Sequence, residues 1–90
     1  MSRRIEKINE LILHNLSEIL FFEYPGNMIT ILSVFTSPDL SSAKIFVNLS
    51  DSILKFETLN ANTKHLRYIL AQKISLRKTP ELIFIDCSEK

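Results

Sequence analysis

LRYILAQKISLRKTPELIFIDCS, from Leu66 to Ser88, decides how this chain folds, because the spacing of its apolar residues changes period inside it. Leu66, Ile69, Leu70 and Ile74 fall three or four apart, which predicts a helix with one buried side. Pro80 disfavours the helical region for Thr79, so the helix is expected to run through Leu76 and Arg77 and to stop before the proline. Leu82 to Ile85 then reads as a strand of apolar and aromatic residues. Lys64, Arg67, Ala71 and Lys78 gather on a face beside the apolar one, where they are expected to meet solvent. Lys73 and Arg77 fall within the apolar stripe by angle, which predicts stems snorkelling over the core. Arg77 has a second role open to it, bracing the turn into Pro80 and Glu81.

Upstream, SPDLSSAKIFVNLS from Ser37 to Ser50 joins a turn to a strand. Proline presets its own backbone angle and aspartate bonds the backbone nearby, so Ser37, Pro38 and Asp39 predict the turn. Ala43, Ile45, Val47 and Leu49 alternate with Lys44, Phe46 and Asn48, the period of a strand. Met28 to Phe35 is largely β-branched or apolar and is expected to pair with it antiparallel. Phe46 is expected to pack with the core, as strand aromatics usually do, while Lys44 is either a cross-strand neighbour or a phosphate contact. Ser50, Asp51 and Ser52 offer N-caps for a short helix carrying Ile53, Leu54, Phe56 and Leu59. Asn60, Ala61, Asn62 and Thr63 contain poor helix formers, which predicts a break before the helix of Leu66.

Ile5, Ile8, Ile12, Leu16 and Ile19, widened by Leu11 and Leu20, predict a first helix from about Arg3 to Phe22 with Ser2 as its N-cap. Pro25, Gly26 and Asn27 end it, and Gly26, the single glycine of the chain, is free to take a positive φ there. The order is αββααβ, which suits a two-layer α+β sandwich of a three-stranded sheet covered on one face by three helices, in one domain over residues 1–90.

Several function classes are disfavoured by composition. With one cysteine in 90 residues, Cys87 closes no intrachain disulfide and is read as an inert thiol. Neither the continuous apolar run of a signal peptide nor a window of ~20 apolar residues for a membrane span is present, so a cytoplasmic location is expected. His14 and His65 are far apart, and no His, Cys, Asp and Glu set has metal spacing. No nucleophile-elbow or phosphate-cradling glycines exist, so neither enzyme nor cofactor is expected. Eleven Lys and Arg oppose ten Asp and Glu for a net charge of +1, which by itself argues little for nucleic acid.

The pattern Leu-Arg-x-x-Pro-Glu-Leu-x-Phe, at Leu76, Arg77, Pro80, Glu81, Leu82 and Phe84, resembles the signature of the ribosome-binding factor A family, as does the turn and strand of Ser37 to Ser50. The resemblance covers nearly the whole chain and implies a type II KH-like fold and a non-catalytic bacterial factor. Such a factor binds the immature 30S ribosomal subunit and its 16S rRNA during late maturation, and an assembly GTPase helps to release it. A monomer is expected, with no membrane partner. The family's interhelical bend, usually Ala-x-Gly, is implied at Asn62, Thr63 and Lys64, which depart from it at both ends. A second departure follows the first helix, where Phe22, Glu23 and Tyr24 stand in place of a common Asp-Pro-Arg.

The candidate RNA-binding residues are Arg3, Arg4, Lys7, Lys44, Lys64, His65, Arg67 and Lys78. Lys64, His65, Arg67 and Lys78 are expected to line one helix face, where ammonium and guanidinium groups neutralise phosphates. Arg3, Arg4 and Lys7 oppose the dipole of the first helix, gain little locally and are free for an acidic partner. A solvated face is the ordinary role for all of them. Two other readings stay open: an α+β interaction module that pairs the edge of its third strand with another chain, and a general single-strand RNA binder, which the missing glycines at the bend disfavour.

Overall fold

The computed structural model describes residues 3–88. Its elements are α1 (Arg3–Glu23), β1 (Thr30–Thr36), β2 (Ser42–Asn48), α2 (Phe56–Ala61), α3 (Thr63–Lys73) and β3 (Glu81–Asp86). This is the αββααβ order expected of a type II KH-like domain. The sheet runs β1-β2-β3, with β1 antiparallel and β3 parallel to the central β2. Ser2, the expected cap of α1, lies outside the described residues.

Ile8, Ile12, Leu16, Ile19 and Leu20 bury one stripe of α1 against the sheet, each removing apolar surface worth about 1.5–3 kcal/mol from water. Leu11, expected to widen that stripe, is 39% exposed because it sits at the margin of the arc. From the sheet come Val34, Ala43, Ile45, Val47, Leu82 and Phe84, and from the remaining helices Leu59, Leu66 and Leu70. Asn9 ties α1 to the end of β1: its Oδ1 accepts from both the amide (2.9 Å) and the hydroxyl (2.6 Å) of buried Thr36.

Gly26 takes φ 83° after α1, and the Asn27 amide donates to the Tyr24 carbonyl at 3.1 Å to close the turn. Between β1 and β2, the Asp39 carboxylate accepts from the hydroxyls of Ser37 and Ser41 (both 2.7 Å) and from the Ser41 amide (3.1 Å). Those bonds, the Ser37 hydroxyl first, lower its pKa from the usual 3.8 to about 2. Leu40 holds φ 62°, a strained angle for leucine, while its side chain packs against the core.

Three local expectations need correction. Ile53 lies outside α2 and is 93% exposed, and the helix begins at Phe56 with Lys55 as an N-cap that makes no side-chain bond. Ser52 serves the loop: its hydroxyl donates to Asn27 Oδ1 at 2.8 Å and accepts from the Leu54 amide at 3.0 Å. Phe46 points away from the helices and meets Phe35 edge to face, because the sheet has a helical layer on one side only. Finally, α3 stops at Lys73, well before Pro80. Ile74 is already extended (ψ 140°), its amide bonded to the Leu70 carbonyl at 3.0 Å.

Candidate nucleic-acid interface

The early end of α3 builds the site. From Ile74 the chain leaves the helix: Ile74 is buried, Ser75 exposed, Leu76 half-buried on the core, and Arg77 and Lys78 exposed at a bend before buried Pro80. Arg77 and Lys78 therefore leave the helix surface. They lie beside the first turns of α1, where Arg3, Arg4 and Lys7 project. The five cations line a cleft of about 490 Å³ whose floor is Ile8, Leu11, Leu40 and Leu76, and among the described residues no carboxylate lines it. The other six Lys and Arg of the chain stand against ten Asp and Glu, so the small net charge conceals a segregated one.

Arg67 holds that arrangement from behind. Its Nη2 donates to the Thr79 carbonyl at 2.6 Å, and its Nε is shared between the carbonyls of Thr79 and Pro80 at 3.2 Å each. The bracing expected as one role for Arg77 thus belongs to Arg67, which reaches from α3 and is half-buried. Lys73, expected to snorkel, donates to Glu18 Oε1 at 2.5 Å and links α3 to α1.

A second, wider cavity of about 980 Å³ runs between α3 and the free edge of β3, bordered by Asn60, Lys64, Arg67, Tyr68, Thr79 and Glu81. At its end is the interhelical bend. Asn62 sits between α2 and α3 with φ −96° and ψ 13°, an ordinary backbone angle, and its Nδ2 donates to the Tyr24 hydroxyl at 2.8 Å. Thr63 Oγ1 donates to the Asn60 carbonyl at 2.6 Å. His65 Nε2 lies 2.9 Å from Glu23 Oε1. The end of α1 and the bend therefore touch each other, and polar side chains hold the junction of α2 and α3.

Of the sequence-derived candidates, the fold brings Arg3, Arg4, Lys7 and Lys78 together. Lys64 and Arg67 lie at the second cavity, His65 is tied to Glu23, and Lys44 is on the helix-free face of the sheet. Arg77, assigned to the core stripe by helical angle, joins the cleft. The signal for it was the alternation of Ile74 and Leu76 with polar neighbours. Of the exposed aromatics, Phe21 and Phe22 meet edge to face near the end of α1, while Phe35 stands on β1 and Tyr68 on α3.

A family model described as Ribosome-binding factor A matches residues 4–88. The ribosome-binding factor A of Chlorobium phaeovibrioides is 39% identical over 92 residues, covering 93% of this chain and 77% of that protein. That of Akkermansia muciniphila is 32% identical over 89 residues, covering 93% and 71%. The crystal structure of ribosome-binding factor A from Thermus thermophilus superposes with a TM-score of 0.73 at 23% identity, covering 91% of this chain and 94% of that one. A homology model of the Thermus thermophilus factor, fitted into the cryo-EM map of a 30S complex, gives 0.69 at 22% identity, covering 86% and 88%. With a family match along almost its whole length and relatives more than 30% identical, this chain belongs to the ribosome-binding factor A family.

Proposed function

We propose that this protein is a ribosome-biogenesis factor that binds the immature 30S subunit through its 16S rRNA and assists late maturation without catalysing a reaction. The observation that carries this reading is the cleft lined by five cations and, among the described residues, by no carboxylate, on a nearly neutral chain. Family membership supports it, as does the 30S complex into which the Thermus thermophilus relative was fitted.

Phosphate neutralisation at the cleft sets affinity and its salt dependence. The cleft is held on one side by the buried stripe of α1 and on the other by the Arg67 guanidinium, which bonds the carbonyl of Thr79 next to Arg77 and Lys78. Lys64 extends the charged surface along the adjoining cavity, which meets the cleft through residues 75–79. Specificity comes from the shape of a folded RNA junction. Among the described residues positive φ occurs only at Gly26 and Leu40, so the bend does not open its amides as a Gly-x-x-Gly loop does, and recognition of a short single strand is disfavoured. In this reading the protein is cytoplasmic and monomeric, and an assembly GTPase acts in its release.

The test is sedimentation of the purified chain with separated 30S, 50S and 70S particles at low and moderate salt. Retention on 30S that fades with salt is expected. Absence from every particle refutes the proposal.

A further inference from the structure

The helices cover one face of the sheet and leave the other bare. The register places Phe35, Lys44 and Ile83 side by side across the three strands on that face, and Ser33, Phe46 and Ile85 beside them. Phe35 is 60% and Ile83 42% exposed, and a bulge at Leu32 leaves that residue 52% exposed on the edge strand. This bare apolar surface is on the order of 300 Å², the size at which a patch on a monomer usually has a use. At its centre stands Lys44, on the middle strand, with no ion pair among the described residues.

Three observations choose the occupant. A second copy packed face to face about a two-fold axis would bring Lys44 against Lys44 in a desolvated interface, a like-charge juxtaposition that opposes pairing. RNA is poorly served: Phe35 and Phe46 meet at 89°, so both rings cannot lie flat under successive bases, and the Glu81 carboxylate borders the same face. The area is well short of the ~800 Å² per partner of a stable interface between folded proteins, which suits a short segment.

We propose that the bare face of the sheet docks a short segment of another protein, which lays apolar side chains on Phe35, Phe46 and Ile83 and pairs one carboxylate with Lys44. The inference rests on the 30S reading, since the segment is taken to belong to a protein of the particle that the cationic cleft binds. The two surfaces lie on different sides of the fold, so both are engaged at once and each raises the effective concentration for the other.

The experiment places the photo-cross-linking analogue p-benzoylphenylalanine at position 35 of the full chain, binds it to purified 30S subunits and irradiates. The expected product joins the chain to a ribosomal protein, and Lys44→Glu lowers the yield per retained chain at least roughly ten-fold, because attraction becomes repulsion. A product with rRNA, a product only with a second copy, or no product from a retained chain overturns the inference and leaves the 30S reading standing. An unchanged yield with Lys44→Glu overturns the carboxylate pairing. A chain that never sediments with 30S overturns both.

Discussion

Arg4→Gln, Lys7→Gln and Lys78→Gln, combined in one variant, remove three of the five cations of the cleft and keep side chains of similar reach. Each neutralised phosphate contributes about 0.9 to the slope of log affinity against log salt, so five contacts predict a fall of roughly 500-fold between about 50 and 200 mM salt, and two contacts a fall of roughly 12-fold. The three residues are exposed and make no ion pair among the described residues, so thermal unfolding should stay within about 0.5 kcal/mol per substitution. Relief of the unfavourable charges at the N-terminus of α1 works slightly toward greater stability. The assay is equilibrium binding to 30S across that salt range, with Lys55→Gln, exposed and outside both cavities, as the matched control. A triple variant whose slope equals that of the parent refutes the assignment of phosphate contacts to this cleft.

Three other outcomes follow from named contacts. Asn9→Ala strands the amide and hydroxyl of buried Thr36 and should lower stability in urea by about 1–3 kcal/mol; adding Thr36→Val should lose less than the two separate losses together. Arg67→Met keeps the stem but removes the donors to Thr79 and Pro80, so the loop of residues 74–80 should exchange its amides faster and 30S binding should weaken, while an unaltered exchange pattern would show that the brace is dispensable. The Asp39 pKa is depressed in the fold, so its contribution is complete above the usual value of 3.8 and is lost as pH falls toward about 2. Asp39→Asn should flatten the acid limb of the stability curve in that window and nowhere above it.

Where the chain has one apolar face and one polar face, spacing alone placed it correctly. The stripe of Ile8, Ile12, Leu16 and Ile19 and the alternation of Ala43, Ile45 and Val47 each correspond to a single structural period. The break at Asn62 was legible for a different reason, since Asn60, Asn62 and Thr63 are poor helix formers around the single Ala61. Phe46 was misplaced because both faces of the sheet carry large apolar residues, and alternation cannot say which side the helices cover. Ser52 was misread as a helix cap because its partner, Asn27, lies 25 residues away in sequence.

The end of α3 shows why the candidate site was only half legible. Ile74 stands four residues after Leu70, and Lys78 seven after Ala71, so both satisfy helical spacing. Ile74 and Leu76 satisfy strand spacing equally well. Neither period is excluded by the residues themselves, and the choice falls to tertiary packing, which buries Ile74 and Pro80 and leaves Leu76 between them half-buried. That choice moves Arg77 and Lys78 from α3 to the foot of α1 and turns three separate hints of positive charge into one cleft. It also reverses the roles of two arginines. Arg67, placed on the RNA face by the helical wheel, is drawn inward to the carbonyls of Thr79 and Pro80, and Arg77, placed over the core, is freed. A change in where one helix ends thus decides which cations are structural supports and which remain available to phosphate.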